Sequence, residues 1–188
     1  MICWIDIETT GLIPRFDYIL EVACHITDDN FDIKHTFHAV TNAARSVDMD
    51  VVDPVVQEMH MKNNLWGESL ISKLTTGAVL LELENFLYDK LRGERPPLGG
   101  NTPSFDRAFI EYHGFGTLKC LSHRHLDCSS LNEMAKRCWP AVYDQRPRSE
   151  TDKHRALYDV TESIHVARYY ATALYPHTQH FAPVAHGV

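Results

Sequence analysis

The first twelve residues, Met1-Ile-Cys-Trp-Ile-Asp-Ile-Glu-Thr-Thr-Gly-Leu12, decide the fold and pose the functional question. Ile2, Trp4, Ile5 and Ile7 are residues that suit a pleated, buried backbone, and Gly11 supplies a turn, so a core strand ending near Glu8 is predicted. Asp6 and Glu8 are two apart, and on a strand such residues project from the same face. Two like charges on one face of a core strand are costly unless something cationic lies between them. A divalent metal is the simplest answer. The alternative is a strand end that emerges into solvent with its acids exposed, and short acidic patterns also recur by chance, so this segment leaves both open.

The strands and helices that follow bound the architecture. Tyr18 to Thr27 reads as a second strand, Asp28-Asp29-Asn30 as a turn, and Ile33 to Val40 as a third strand. A strand, a short turn and a strand imply an antiparallel three-stranded meander. Residues 41 to 52 carry no clear period. Asp53-Pro54 is a helix start, with Asp as cap and Pro in the first turn, for a short helix to about His60. Thr75 or Thr76 opens a longer helix in which Val79, Leu80, Leu83, Phe86, Leu87 and Leu91 recur at helical spacing. Gly93 to Pro97 ends it, and Leu98 to Asn101 is an inner strand end. A further helix follows with Thr102 as cap and Pro103 at its first position, then a brief strand at His123 to Asp127. Ser129 or Ser130 caps a helix to Trp139. Ala141 to Asp152 reads as loop, and the last helix runs from about His154 to Leu174 before Pro176. The expected fold is α/β, a central mixed sheet flanked by helices, in one domain over 1–176 with a loose tail at 177–188.

Composition narrows the class. A chain of 188 residues with 44% hydrophobic and 23% charged residues is an ordinary globular domain with a sizeable core. No apolar run approaches the 18 residues of a membrane span, and no basic-then-apolar segment precedes the first strand, so neither a membrane partner nor a signal peptide is expected. Five cysteines without a tight framework suggest reduced thiols and a cytoplasmic setting. The formal net charge of -7 argues against a protein that grips long nucleic acid through many Lys and Arg contacts. It leaves room for a short nucleic-acid substrate where metal ions supply the positive charge.

Three further constellations could carry chemistry. Asp106 falls in the first turn of the Thr102 helix, directly after a Gly-rich strand end, where α/β proteins commonly place ligands; an acid there is also simply favourable to the helix dipole. His154 and Asp159 lie five apart, about 500° around a helix and so about 140° from sharing a face. His154 therefore belongs on the loop or first turn, swinging toward a site that Asp159 reaches from the edge of the apolar stripe made by Leu157, Val160, Ile164 and Ala167. An Asp159–Arg155 pair is the other reading of that acid. Cys120, His123, His125 and Cys128 form a rival zinc set, but strand alternation separates Cys128 from the two histidines and the spacing lacks the usual pairs.

Taken in order, Asp6-x-Glu8, Asp106 and His154-x4-Asp159 resemble the three motifs of the DEDDh (DnaQ-like) family of 3′-to-5′ exonucleases. Within it the chain looks most like the oligoribonucleases. The matching stretches are W-I-D-I-E-T-T-G-L (4–12), M-H-M-K-N-N-L (59–65), G-N-T-P-S-F-D-R (100–107), H-R-H-L-D-C-S-S-L-N-E-M-A-K-R-C-W-P (123–140) and H-R-A-L-Y-D-V-T-E-S-I (154–164). The resemblance covers nearly the whole chain, and is weakest over 38–52 and the tail.

The resemblance implies a ribonuclease H-like sheet and a metal-dependent exoribonuclease that finishes very short RNAs, dinucleotides included, to nucleoside 5′-monophosphates. Asp6, Glu8, Asp106 and Asp159 would hold two divalent ions, Mg²⁺ or Mn²⁺, whose preference for oxygen ligands suits them. His154 would be the general base toward the attacking water. Leu12 would wedge against bases, Thr10 would lie near the 3′-terminal sugar, and His60 would line the nucleotide pocket. Arg124 and Ser129 would cap the 5′ phosphate of a short single-stranded RNA, or DNA, substrate. A homodimer is implied on the same ground. The chain departs from the pattern where Arg124 is flanked by His123 and His125 rather than an aromatic residue, and at Val55, where some members carry Trp. Both departures bear on substrate tightness and length selectivity, not on hydrolysis. A single-stranded DNA proofreading or repair exonuclease, and an inactive nucleotide- or protein-binding domain, are the competing readings.

Overall fold

The structure is a computed structural model and describes residues 1–114, 116–148 and 154–174. Three strands open it: β1 (Ile2–Thr9), β2 (Ile19–Thr27) and β3 (Ile33–Val40). Two 3-10 turns, Ala43–Ser46 and Met49–Val51, lead to α1 (Pro54–Lys62), α2 (Leu65–Ile71) and α3 (Thr76–Leu91). Then come β4 (Leu98–Gly100), α4 (Pro103–His113), β5 (His125–Asp127), α5 (Cys128–Cys138), α6 (Pro140–Asp144) and α7 (Ala156–Ala173). The sheet runs β3-β2-β1-β4-β5, antiparallel through β3, β2 and β1 and parallel from β1 to β4 and β5. This is the expected mixed sheet with an antiparallel start.

β1 lies at the centre, and its alternation sorts the core. Cys3, Ile5 and Ile7 face α3 and α4, where they meet Val79, Leu83, Leu87 and Phe109. Ile2 and Trp4 face the other way, onto Ala156, Val160, Ile164 and Ala167 of α7. Period-two geometry therefore sends Asp6 and Glu8 toward α7 as well. Gly99 sits opposite Trp4 in the β1–β4 register, and a Cβ there would come within 2.5 Å of the indole, so that position is reserved for glycine by close approach.

Several local expectations change. Asp53 does cap α1, accepting from the Val55 amide, and Thr75 caps α3. Thr102 does not cap α4: it is left-handed at φ 65°, and its hydroxyl turns to Ser129 while its amide donates to Asp127. The α5 cap is Asp127, not Ser129 or Ser130, because its carboxylate reaches the Ser129 amide and both serine hydroxyls. α6 takes up Pro140–Asp144, the start of the stretch expected to be loop, and α2 lies where no element is expected. Residues 149–152 of the expected loop and the expected tail lie outside the described residues.

Candidate active site

Four carboxylates and one imidazole come from four separate elements to one cavity of about 410 Å³. Asp6 and Glu8 come from β1, Asp106 from α4, Asp159 from α7, and His154 from the turn before α7. Each is placed for a local reason. β4 pairs with β1 only as far as Trp4–Gly99. Beyond that point the Ile7 amide donates to Asp106 Oδ1 at 3.0 Å, so the first turn of α4 completes the edge that the short strand leaves open. His154 stands outside α7 at φ 40°, with its carbonyl accepting from Asn63 Nδ2 at 2.6 Å. Left-handed backbone at a non-glycine residue is held only where the surroundings impose it.

Asp6, Glu8 and Asp159 each present a carboxylate oxygen within 4.8 Å of the others. The charge is uncompensated: burial first, then Asp159, Glu21 and Asp106, pushes the Glu8 carboxyl up to about 8. Burial likewise raises Asp106 to about 7. Asp6 is raised by burial and then by Asp106 and Glu8, and Asp159 mainly by burial. Hard oxygen donors, mutual repulsion and low solvent access form a donor set that fits a divalent cation.

Arg155 does not pair with Asp159. Its guanidinium turns to Glu21 (Nη2–Oε1 2.9 Å) and Glu68 (Nη2–Oε2 2.7 Å). Glu21 is fully buried and also accepts from His38 Nε2 at 2.6 Å and the Ala156 amide at 2.9 Å. Burial opposes its charge, but the His38, Arg155 and Ala156 hydrogen bonds outweigh that and hold it at about 2. The sequence carried a signal here: an acid in the middle of the apolar run Ile19-Leu-Glu-Val-Ala23 demands a buried partner.

The other expected site residues, Thr10, Leu12, His60, Arg124 and Ser129, do not line this cavity. Leu12 is 78% exposed on the turn after β1. Thr10 is buried, its hydroxyl donating to Asp17 Oδ1 and accepting from the Tyr18 amide, which braces that turn. Gly11 lies so close to Asp17 that a Cβ would meet its carboxylate at 2.5 Å. His60 is fully buried; its Nε2 donates to the Thr9 carbonyl at 2.9 Å, and Nδ1 has no partner among the described residues. Arg124 is exposed, and Ser129 Oγ donates to Asp127 Oδ1 at 2.7 Å beside Thr102 Oγ1. The rival zinc set does not assemble: Cys128 donates to the Ser163 carbonyl, and His125 accepts from Arg107 Nε. Among the described residues, Asp6, Glu8 and Asp159 form the one group of His, Cys, Asp or Glu close enough to share an ion.

Residues 3–167 match the exonuclease family RNase_T. The chain is 33% identical over 192 residues to the oligoribonuclease of Mycobacterium sp. (strain KMS), covering 97% of this chain and 87% of that one. A solved exonuclease I superposes with a TM-score of 0.72 at 15% identity. Escherichia coli exonuclease I, in a zinc-bound complex with single-stranded DNA, superposes with a TM-score of 0.64 at 14% identity. These two matches cover 91% and 94% of this chain, which spans only 40% and 41% of those longer chains.

Proposed function

This chain belongs to the RNase_T exonuclease family, and on that premise we propose that it is a 3′-to-5′ exoribonuclease that hydrolyses short RNA oligonucleotides, dinucleotides included, to nucleoside 5′-monophosphates. The observation that carries the reading is the convergence of Asp6, Glu8, Asp106, Asp159 and His154 on one cavity. An oligoribonuclease relative that this chain nearly spans supports the substrate class.

In this reading Asp6, Glu8, Asp106 and Asp159 hold two divalent ions, Mg²⁺ or Mn²⁺. When bound, such ions supply the Lewis acidity that favours hydroxide and offsets charge on the phosphoryl oxygens. The residues do the rest. His154, outside the acid set, accepts a proton from the attacking water, a role suited to an imidazole. Attack on the terminal phosphorus breaks its bond to the preceding 3′ oxygen, which takes a proton from solvent. Asp106, tied to the Ile7 amide, keeps its second oxygen for the cavity. Leu12 stands against the bases, Thr10 and His60 support the terminal nucleotide from beneath by bracing the turn and the Thr9 carbonyl, and Arg124 and Ser129 receive the 5′ phosphate. A homodimer and a cytoplasmic setting belong to the same reading; five free cysteines agree with the latter. Among the described residues no helix is long and apolar enough to cross a membrane.

The test is a turnover series on 5′-labelled RNA from two to about ten nucleotides, with Mg²⁺, Mn²⁺ or chelator, beside single-stranded DNA and His154→Ala. Fastest turnover of the shortest RNA, loss with chelator and a fall of about 100-fold or more in His154→Ala are expected. A clear preference for longer DNA makes it a DNA exonuclease. No metal-dependent hydrolysis of either leaves a binding domain.

A further inference from the structure

Of Asp6, Glu8, Asp106, Asp159 and His154, His154 alone is not carried by a regular element, and what holds it is a charged clamp one residue away. Arg155 offers both edges of its guanidinium. Nε and Nη2 donate to Glu21 at 2.9–3.2 Å, and Nη1 and Nη2 donate to Glu68 at 3.2 and 2.7 Å. Glu21 also accepts the amide of Ala156, the first residue of α7. Nη1 further approaches the Asn63 carbonyl at 3.5 Å, and the Asn63 side chain donates to the His154 carbonyl at 2.6 Å.

These contacts join three places far apart in sequence: the start of β2, α2 with the corner before it, and the start of α7. The chain at His154 and directly after it is therefore tied down, by Asn63 at the His154 carbonyl and by Glu21 at Arg155 and Ala156. Bidentate carboxylate–guanidinium pairs fix direction as well as distance, which a lysine ammonium cannot reproduce. Glu21 is in addition the register partner of Glu8. The clamp thus refers His154 to the strand that runs beside the acids.

We propose that Arg155, gripped by Glu21 and Glu68, is the positioning residue that holds the general base His154 in its left-handed conformation at the cavity, with Asn63 as the second tie. This rests on the nuclease reading above. Arg155 acts through His154, so its removal costs nothing once the imidazole is gone. A group that merely stabilises the fold lowers activity whether or not His154 is present.

The experiment is a double-mutant cycle on a 5′-phosphorylated RNA dinucleotide with Mn²⁺, comparing wild type, His154→Ala, Arg155→Lys and the double variant. Melting temperature is read with and without Mn²⁺. Arg155→Lys is expected to lower kcat about 100-fold, the scale of a misplaced catalytic group, with KM almost unchanged. In the His154→Ala background it is expected to lower kcat no further. Its Mn²⁺-induced rise in melting temperature should equal that of wild type, since Asp6, Glu8 and Asp159 are untouched. Glu68→Gln, at a side chain 36% exposed, should follow the same pattern with a smaller loss, and it carries the test if Arg155→Lys does not melt cooperatively. Wild-type kcat in both single variants, or the same fold loss with and without His154, overturns the positioning role. A wild-type protein that does not cleave the dinucleotide sinks the nuclease reading and this inference with it.

Discussion

Glu8 and Glu21 stand directly opposite each other in the β1–β2 register, yet their surroundings push the two carboxyls in opposite directions. Burial among other acids pushes Glu8 up to about 8, while His38, Arg155 and the Ala156 amide hold Glu21 at about 2. Like charges across a strand pair are destabilising. Here one is answered from within the fold, and the other is left for a ligand.

That contrast sets a pH dependence of two signs. Glu8, raised above its ordinary 4.5, stays protonated in the folded state while the unfolded chain ionises. Stability of the metal-free protein therefore falls as pH climbs from about 4.5 to about 8. Glu21, depressed below 4.5, contributes stability that is present above that value and is lost as pH falls toward about 2. Chelator-treated protein should melt lower at about pH 8 than at about pH 6. Mn²⁺ should raise the melting temperature more at the higher pH, where its ligands bind without displacing protons. Equal increments at both pH values would contradict this account.

Asp106→Asn separates stability from function. Asparagine keeps an oxygen for the Ile7 amide but removes a charge from the cavity. The metal-free melting temperature should rise, and kcat should fall about 1000-fold, since the lost group acts on charge in the transition state. A fall in melting temperature would mean that the carboxylate is structural.

Leu12→Ala tests the exposed turn. The side chain is 78% exposed, so the change in stability should stay within about 0.5 kcal/mol. If the leucine stands against a base, KM for the dinucleotide should rise about tenfold, equivalent to about 1.4 kcal/mol. An unchanged KM in steady-state assays would remove Leu12 from the binding surface.

Asp127→Ala should act twice. Loss of the α5 cap should cost about 1 kcal/mol in chemical denaturation. Ser129, Ser130 and the Thr102 amide lose their common acceptor. KM should then rise for the 5′-phosphorylated dinucleotide and not for its unphosphorylated form. An equal rise for both would detach this corner from the 5′ phosphate.

Glu21→Gln should destabilise the protein by about 3 kcal/mol in urea denaturation, because it leaves Arg155 half-answered beside a buried amide. A change below about 1 kcal/mol would show that Glu68 alone suffices for the guanidinium.

Asp6, Glu8, Asp106, His154 and Asp159 are legible in order along the chain through the family resemblance, each lying in a local pattern that by itself leaves another reading open. Asp6 and Glu8 share a strand face, Asp106 follows a Gly-rich strand end, and His154 precedes a helix whose stripe places Asp159 at its edge. The caps were less legible. Thr102 looks like a cap because threonine before proline commonly is one, but its backbone is left-handed and Asp127, 25 residues on, takes its amide. α2 carries no repeating stripe, because Leu65 and Trp66 pack onto Leu20 and the 3-10 turn at Ala43–Ser46.

From sequence alone come the order of the five strands and the longer helices, the shared face of Asp6 and Glu8 and the family resemblance, because those follow from periods of two and 3.6 residues and from motif order. Which charge answers which is settled by the packing of distant elements. Arg155, the residue before α7, is four positions from Asp159, yet it reaches Glu21 and Glu68, from β2 and α2, and Glu21 is a fully buried carboxylate. Such pairing depends on distances between elements that no local pattern encodes, and a buried charge is stable only where the fold brings its partner to it.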